Sequence, residues 1–270
     1  MLLALFSSAL LAQQIEMSES ELMNKLDSVL QEGNLLYKYE KSAWISNDLA
    51  SENPIVRAEF KDYLTYEEQG EIRTIIFGEN HQICIAEYTF ENNFDNPKSI
   101  KIEKRELSDK ERTLIDVREK ILNNINDNEY GITAPPAGYN FNLILLPFAD
   151  KYKLYIITGT TEPNVVPFGN DYIFIADENG DIESWQKPHF QLIPTYTVIT
   201  GGYARRNFAR VTGLIHTHLP TTPLMTATDI CTFMLYAPFY GDLETLTVVS
   251  APVAMKYHLK ENKITIQYFR

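Results

Sequence analysis

The pattern of hydrophobic and polar positions in the first half of the chain changes period twice. Ser18 and Glu21 have the spacing of a capping box, and apolar residues follow them at helical intervals, which predicts an amphipathic helix. A second helix is predicted after the similar pair Ser108 and Glu111. Between the two helices the pattern predicts an antiparallel meander of three strands: residues 63–66, 71–77 and 82–90.

In the second half of the chain, the hydrophobic pattern predicts mostly strands. Residues 172–176 and 182–185 flank an Asp-Glu-Asn-Gly turn, which is typical of a β-hairpin. Apolar residues in segment 229–236 have helical spacing, so a helix is expected to begin at Asp229. The pattern predicts five more strands, at residues 141–147, 152–158, 243–250, 253–259 and 264–269.

These elements place the chain in the α+β class. We expect an N-terminal helix and an antiparallel sheet in a first lobe, followed by a second lobe of strands and helices. The composition agrees, because 16 tyrosines and 14 phenylalanines favour strands over a helical bundle. The Pro135–Pro136 pair predicts a boundary between an N-terminal α+β domain of unknown role, residues 15–134, and a second domain, residues 135–270.

The first 14 residues form an uncharged apolar stretch bounded by small residues. The stretch is too short to span a bilayer and is typical of the hydrophobic region and cleavage site of a secretory signal peptide. We therefore interpret residues 1–14 as a signal peptide and expect a secreted or periplasmic protein. The alternative is the buried N-terminal segment of a cytoplasmic protein. Because the sequence has no second apolar span, we expect no integral membrane segment.

The charge balance narrows the possible partners. A formal net charge of −12 and a pI near 4.9 disfavour nucleic acid and anionic membranes, which need clustered lysines and arginines. Cys84 and Cys231 are the only cysteines in the sequence, too few for a disulfide framework. Because they fall in a predicted strand and a predicted helix of different lobes, we expect two buried thiols, with a single disulfide as the alternative.

The segment from His216 to Asp229 carries the strongest chemical signal in the sequence. His216 and His218 alternate along a predicted apolar strand, so both imidazoles are expected on one face and Thr217 on the other. Asp229 is expected on the first turn of the next helix, close to the end of that strand. Two histidines and one carboxylate are typical of a catalytic zinc site that leaves its fourth position to water. Thr226 and Asp229 also fit a capping box, which requires only that they start a helix.

The spacing His-x-His, seven residues, a hydroxyl residue, two residues and Asp is the pattern of the JAMM (MPN+) metalloproteases. This chain resembles that family at four positions: His216, His218, Thr226 and Asp229. It departs from the family in two places. Thr226 stands where the family usually has serine, and Leu219 intervenes before the proline that usually follows the second histidine.

The resemblance is clear over residues 209–260 and looser from residue 140 onward. It implies a mixed β-sheet core with flanking helices and a zinc hydrolase that cleaves an amide bond. Thr226 would stabilise a developing oxyanion, and an acidic residue after an earlier strand would take a proton from water. Glu162 is the first candidate for that general base. Three other acidic residues compete with it: Asp171, Glu178 and Glu183.

We therefore expect a zinc-dependent hydrolase that acts on a peptide or another amide-containing substrate. The N-terminal lobe is expected to present substrate or to bind a protein partner. One alternative is a non-catalytic exported scaffold with a degenerate core. Another is a metal-binding module without hydrolysis, in which a fourth ligand such as His189 closes the coordination shell. Taken alone, His189 is interpreted as a surface-loop residue.

Overall fold

The structure is a computed structural model. It describes residues 17–78, 81–127, 130–198, 211–240 and 242–269. Within these residues the protein has an α+β fold that begins with a long helix, which confirms the predicted class. The predicted signal peptide, residues 1–14, lies outside the described residues, so export stays a prediction.

Four α-helices are described, and two of them begin as the sequence predicts. The Ser18 hydroxyl accepts a hydrogen bond from the Glu21 backbone N–H at 3.3 Å, and the Glu21 carboxylate accepts one from the Ser18 N–H at 2.9 Å. Ser108 and Glu111 form the same reciprocal pair. Among the described residues, no helix combines the length and the apolar character that crossing a bilayer requires. The helices are α1 (Glu19–Glu52), α2 (Pro54–Glu59), α3 (Asp109–Asp127) and α4 (Ala227–Tyr236).

The first sheet confirms the predicted meander. Its strands run in the order β1-β2-β3-β4, with β5 paired to β3, and all neighbours are antiparallel. The tight turn between the first two strands is a Gln-Gly pair in which both residues have positive φ. The strands are β1 (Asp62–Glu68), β2 (Glu71–Phe77), β3 (Ile83–Phe90), β4 (Ser99–Lys101) and β5 (Arg105–Glu106).

A second antiparallel sheet has the order β10-β9-β7-β6, and β9 and β10 form the predicted hairpin. A separate two-stranded sheet joins β8 to β11, two strands that the hydrophobic pattern does not predict. The segment between β10 and β11 returns the chain toward the end of β8. The strands are β6 (Tyr139–Phe148), β7 (Lys151–Thr160), β8 (Val165–Gly169), β9 (Tyr172–Ala176), β10 (Ile182–Gln186) and β11 (Leu192–Tyr196).

The last sheet is mixed and has the order β12-β13-β14-β15. Strand β12 is parallel to β13, whereas the other pairs are antiparallel. Because parallel neighbours need a crossover connection, helix α4 lies between β12 and β13 in sequence. The strands are β12 (Gly213–Thr217), β13 (Thr245–Ser250), β14 (Val253–His258) and β15 (Lys263–Tyr268).

The largest hydrophobic core draws residues from both halves of the chain, from Leu26 on α1 to Ile230 on α4 and Tyr257 on β14. A second cluster packs α3 against the opposite side of the first two sheets. The predicted boundary near residue 134 falls in the irregular segment between α3 and β6, and the division into domains stays a prediction. Cys84 and Cys231 are both buried free thiols, and burial raises the pKa of Cys84 to about 12.

Candidate metal centre

Strand β12 presents its histidines as the alternating pattern predicts. Leu214 and His216 are buried, whereas Ile215 and Thr217 are exposed. His218 lies just beyond the strand, but its backbone N–H donates to Val249 O at 3.0 Å, so the alternation continues through it. Both imidazoles therefore lie on the inner face of the sheet, next to the beginning of α4.

Helix α4 places Asp229 by a capping box. Thr226 is the N-cap, and its hydroxyl and backbone N–H both donate to Asp229 Oδ2 at 2.8 Å. In return, Thr226 Oγ1 accepts from the Asp229 backbone N–H at 3.1 Å. These bonds occupy Oδ2, which also lies 3.4 Å from His218 Nε2, and leave Oδ1 for His189 and His216. The capping interpretation and the ligand interpretation of Asp229 are thus compatible.

His189 was interpreted from the sequence as a surface-loop residue, and that interpretation is wrong. The residue lies between β10 and β11, is buried, and belongs to the same group as His216, His218 and Asp229. Its Nδ1 lies 2.8 Å from Asp171 Oδ1, which also accepts the His189 backbone N–H at 3.2 Å. Burial became possible because a carboxylate satisfies the polar atoms of the ring and backbone.

The four side chains direct one atom each toward a common point. His218 Nε2 lies 2.9 Å from His189 Nε2 and 3.1 Å from His216 Nε2. Asp229 Oδ1 lies 3.1 Å from His189 Nε2 and 3.0 Å from His216 Nε2. Every side chain in the group is at most 9% exposed. We call these four residues the metal centre, because such a group could hold a metal ion.

The hydrogen bonds at the Nδ1 atoms decide which ring nitrogens are free. His189 Nδ1 faces the Asp171 carboxylate, and His218 Nδ1 lies 2.7 Å from Leu224 O. Since a carboxylate and a carbonyl only accept, both Nδ1 atoms carry the proton, and in the neutral rings both Nε2 atoms carry lone pairs. Two lone pairs that face each other at 2.9 Å repel unless a cation lies between them.

A buried carboxylate oxygen shows the same deficit. Within the described part of the chain, Asp229 Oδ1 has no hydrogen-bond partner. Buried polar atoms without a partner are rare in proteins and call for an explanation such as an ion. A single proton would satisfy one pair of these atoms, whereas one metal ion satisfies all three Nε2 atoms and Asp229 Oδ1 together. The donor set therefore fits a metal.

The electrostatics of the metal centre favour an anionic Asp229 beside positive charge. Burial alone would raise the pKa of Asp229, but the imidazoles of His189, His216 and His218 hold this pKa well below its usual range. Burial would likewise lower the pKa of His189, but Asp171 and Asp229 raise it well above its usual value. Both shifts report the same arrangement, in which two buried carboxylates stabilise a cation between them.

The candidate bases lie in different places. Glu162 is exposed, its side chain lies against Gly138, and it is not a member of the metal centre. Glu178 is exposed in the hairpin turn, and Glu183 is exposed and paired with Lys151. Asp171 alone among the four contacts a residue of the metal centre. A proton-transfer role for Glu162 stays a prediction.

The sequence pattern identifies three of the four side chains directly, offers His189 only as a fourth ligand in one alternative, and offers Asp171 only as a candidate general base. His189 lies 27 residues before His216, too far for any periodicity to connect them. One signal in the sequence could have indicated His189. The chain has only five histidines, and three of them form the metal centre.

Comparison with known proteins gives no match: no protein-family model, no curated protein and no solved structure matches this chain. The resemblance to the JAMM metalloproteases therefore depends on the spacing of four residues and the order of the elements around them.

Proposed function

We propose that this protein binds one zinc ion through His189, His216, His218 and Asp229 as a closed, four-ligand site. The observation that carries the proposal is the convergence of Nε2 lone pairs on an unpartnered, buried carboxylate oxygen. Three imidazoles and one carboxylate form a donor set that suits zinc, which is most often four-coordinate and tetrahedral in structural sites.

The distances within the metal centre are compatible with one small ion. Zinc bonds of roughly 2.0–2.1 Å imply a tetrahedron with edges of about 3.3 Å. All the donor atoms lie within 4.8 Å of one another, and four of the distances among them run from 2.9 to 3.1 Å. Small outward shifts of the side chains would bring these distances to the zinc value. Calcium and magnesium are disfavoured, because both prefer six or more oxygen ligands or several retained waters.

A closed site gives the ion a cross-linking role. The ligands come from the segment between β10 and β11, from β12 and the residue after it, and from the first turn of α4. Four buried protein ligands are typical of structural zinc rather than catalytic zinc, which keeps a position for water. The function that the geometry supports best is therefore that of a zinc-stabilised protein without hydrolytic activity.

Zinc-dependent hydrolysis of an amide bond is a second candidate, and one observation favours it. Asp229 Oδ2 is held by the capping box, so Oδ1 is a single donor and the coordination number can rise from four to five. When bound, zinc would supply a Lewis acid that activates water. In this structure Thr226 orients Asp229. A role for Thr226 in stabilising an oxyanion is implied by the resemblance to the JAMM metalloproteases. This candidate function includes a peptide or another amide as the substrate. It also includes export of the protein from the cytoplasm.

The metal content of the purified protein tests the leading proposal. We expect about one zinc per chain after expression in zinc-replete medium, measured by atomic emission, because all four donors are already in place. His189→Ala and His216→Ala are expected to lose most of it. His258→Ala is the matched control, since His258 lies on β14 and bonds Thr265 instead. A wild-type protein free of transition metal, or a full zinc complement in both metal-centre variants, contradicts the proposal.

An assay with fluorogenic acyl-peptide amides separates the two candidates. A closed site predicts no turnover by the zinc-loaded wild type. Zinc-dependent turnover that His216→Ala abolishes would establish the hydrolase instead.

A further inference from the structure

Asp171 is a buried carboxylate that joins two of the segments that carry ligands. It precedes β9 and is 2% exposed. Its Oδ1 accepts the backbone N–H and faces the ring Nδ1 of His189, and its Oδ2 accepts the hydroxyl of Thr228. Thr228 is the residue before Asp229 on α4. One side chain therefore holds both His189 and the helical turn that presents Asp229.

We propose that Asp171 and Thr228 form a positioning pair that fixes His189 as the fourth ligand and so sets the zinc affinity and coordination number of the metal centre. This proposal rests on the proposed zinc-binding function. Neither residue contributes a donor atom to the group itself.

The physical basis is control of the ring of His189. A neutral imidazole has two tautomers and can rotate, so a histidine on a connecting segment presents its Nε2 lone pair only part of the time. An Nδ1–H that donates to a carboxylate selects one tautomer, fixes the ring and makes Nε2 a stronger donor. Each of these effects is expected to strengthen metal binding.

The three histidines differ in the hydrogen-bond partner of the Nδ1 atom. His218 Nδ1 is held by the carbonyl of Leu224, and His216 Nδ1 has no hydrogen-bond partner among the described residues. His189 thus has the charged partner, and it lies on the segment between β10 and β11, whereas His216 lies on β12 and His218 directly follows that strand. The Asp171 carboxylate restrains the His189 side chain, because a loop holds its side chains less firmly than a strand or a helix does.

The backbone before Asp171 packs against the segment that carries His189. Gly169 has φ of +78°, a conformation that favours glycine. A Cβ at this position would collide with Gln191 O and lie 3.1 Å from His189 Cβ. The turn from β8 into β9 therefore packs directly under His189. This close approach brings Asp171 to its hydrogen-bond partners.

Zinc competition with a chromophoric chelator tests the proposal in the full-length protein. Asp171→Asn is expected to weaken zinc binding by about 10- to 100-fold, as is usual for loss of an outer-shell carboxylate. Cobalt gives a second readout, because tetrahedral Co²⁺ absorbs visible light far more strongly than five- or six-coordinate Co²⁺. We expect the cobalt spectrum of Asp171→Asn to lose intensity, because water ligands that enter in place of His189 would raise the coordination number above four.

The Thr228 variants separate positioning from general destabilisation. Thr228→Val keeps the shape and removes the hydroxyl donor, so affinity is expected to fall about 10-fold. Thr228→Ser retains the donor and should restore wild-type affinity and spectrum. Asp177→Asn is the matched control, because Asp177 also accepts backbone N–H groups but lies in the hairpin turn. It should bind zinc like the wild type.

The outcomes distinguish this proposal from the proposed function. If the wild type binds no zinc, both fail. If the wild type binds zinc and Asp171→Asn matches it in affinity and cobalt spectrum, the positioning role fails and the zinc site stands. If Asp171→Asn does not fold, equal affinities of Thr228→Val and Thr228→Ser overturn the proposal, and a difference of about 10-fold supports it.

Discussion

Asp229 uses its two carboxylate oxygens for different purposes. Oδ2 accepts two hydrogen bonds from the N-cap Thr226, and Oδ1 faces the Nε2 atoms of His189 and His216. The capping box places the carboxylate on the first turn of α4, where the helix dipole favours negative charge. A local helix-start motif thus orients a carboxylate toward histidines from other segments of the chain.

Glu40 is another buried carboxyl group, on α1 and remote in sequence from the metal centre. It is 3% exposed, and its Oε2 has no hydrogen-bond partner within the described ranges. Burial raises the pKa of Glu40 to about 8. Because the folded protein holds this proton more tightly than the unfolded chain, the stabilising contribution is complete below the unfolded pKa of 4.5. It is lost as the pH rises toward 8.

Glu40→Gln is therefore expected to remove a pH dependence of stability. Between pH 5 and pH 8 the wild type should lose unfolding free energy on the order of a few kcal/mol relative to the variant. Urea unfolding at a series of pH values measures the difference. Glu52→Gln, at the exposed end of α1, is the control. Parallel stability curves for the wild type and Glu40→Gln would show that Glu40 is not protonated in the folded state.

At the scale of elements, helix α1 packs against the first turns of α4, which carry Asp229. The helices approach so closely at Gly33 that a Cβ there would lie 2.8 Å from Ile230 Cβ and 3.1 Å from Ala227 O. Both contacted residues belong to the first turns of α4, on either side of Asp229. The position of α1 is therefore coupled to the position of Asp229.

Gly33→Ala should destabilise the protein, although alanine is the better helix former by about 1 kcal/mol. Overpacking against Ile230 is expected to cost about 1–3 kcal/mol, so the net loss is on the order of 1 kcal/mol. Denaturant unfolding measures it, and Ser28→Ala on the exposed face of α1 is the control. Adding Ile230→Ala should make room for the new methyl group, so the double variant should lose less than the sum of the single losses. Strict additivity would refute the close contact.

For the whole molecule, the metal centre joins a connecting segment, a strand and a helix that belong to three parts of the second half of the chain. A ligand that binds only the folded state stabilises it by mass action, by about 4 kcal/mol when free zinc exceeds the dissociation constant a thousandfold. If the metal centre holds zinc as proposed, removing the zinc lowers the free energy of unfolding of the whole protein.

We expect a chelator to lower the melting temperature by about 10 °C relative to zinc-saturated protein, given the usual 2–4 °C per kcal/mol for a chain of this size. Differential scanning calorimetry in zinc and in chelator provides the measurement. His216→Ala should melt at the same temperature in both conditions. Equal melting temperatures for the wild type with and without zinc would contradict a cross-linking role.

The features that the sequence determines are local ones. The Ser18–Glu21 and Ser108–Glu111 pairs are capping boxes because the partners lie three residues apart and need no other part of the protein. The inner face of β12 follows from strand alternation, and the placement of Asp229 follows from the start of α4. The α+β class and three side chains of the metal centre were predictable for this reason.

Tertiary structure decided the rest. Strands β8 and β11 escape the hydrophobic pattern because β8 is buried along its whole length and both strands contain proline, which weakens the signal of alternation. Their pairing brings His189 to the end of β8 and thus to Asp171, which also accepts a hydrogen bond from Thr228. The fourth ligand and its carboxylate partner depend on contacts between segments 18 to 57 residues apart, and no local periodicity encodes such contacts.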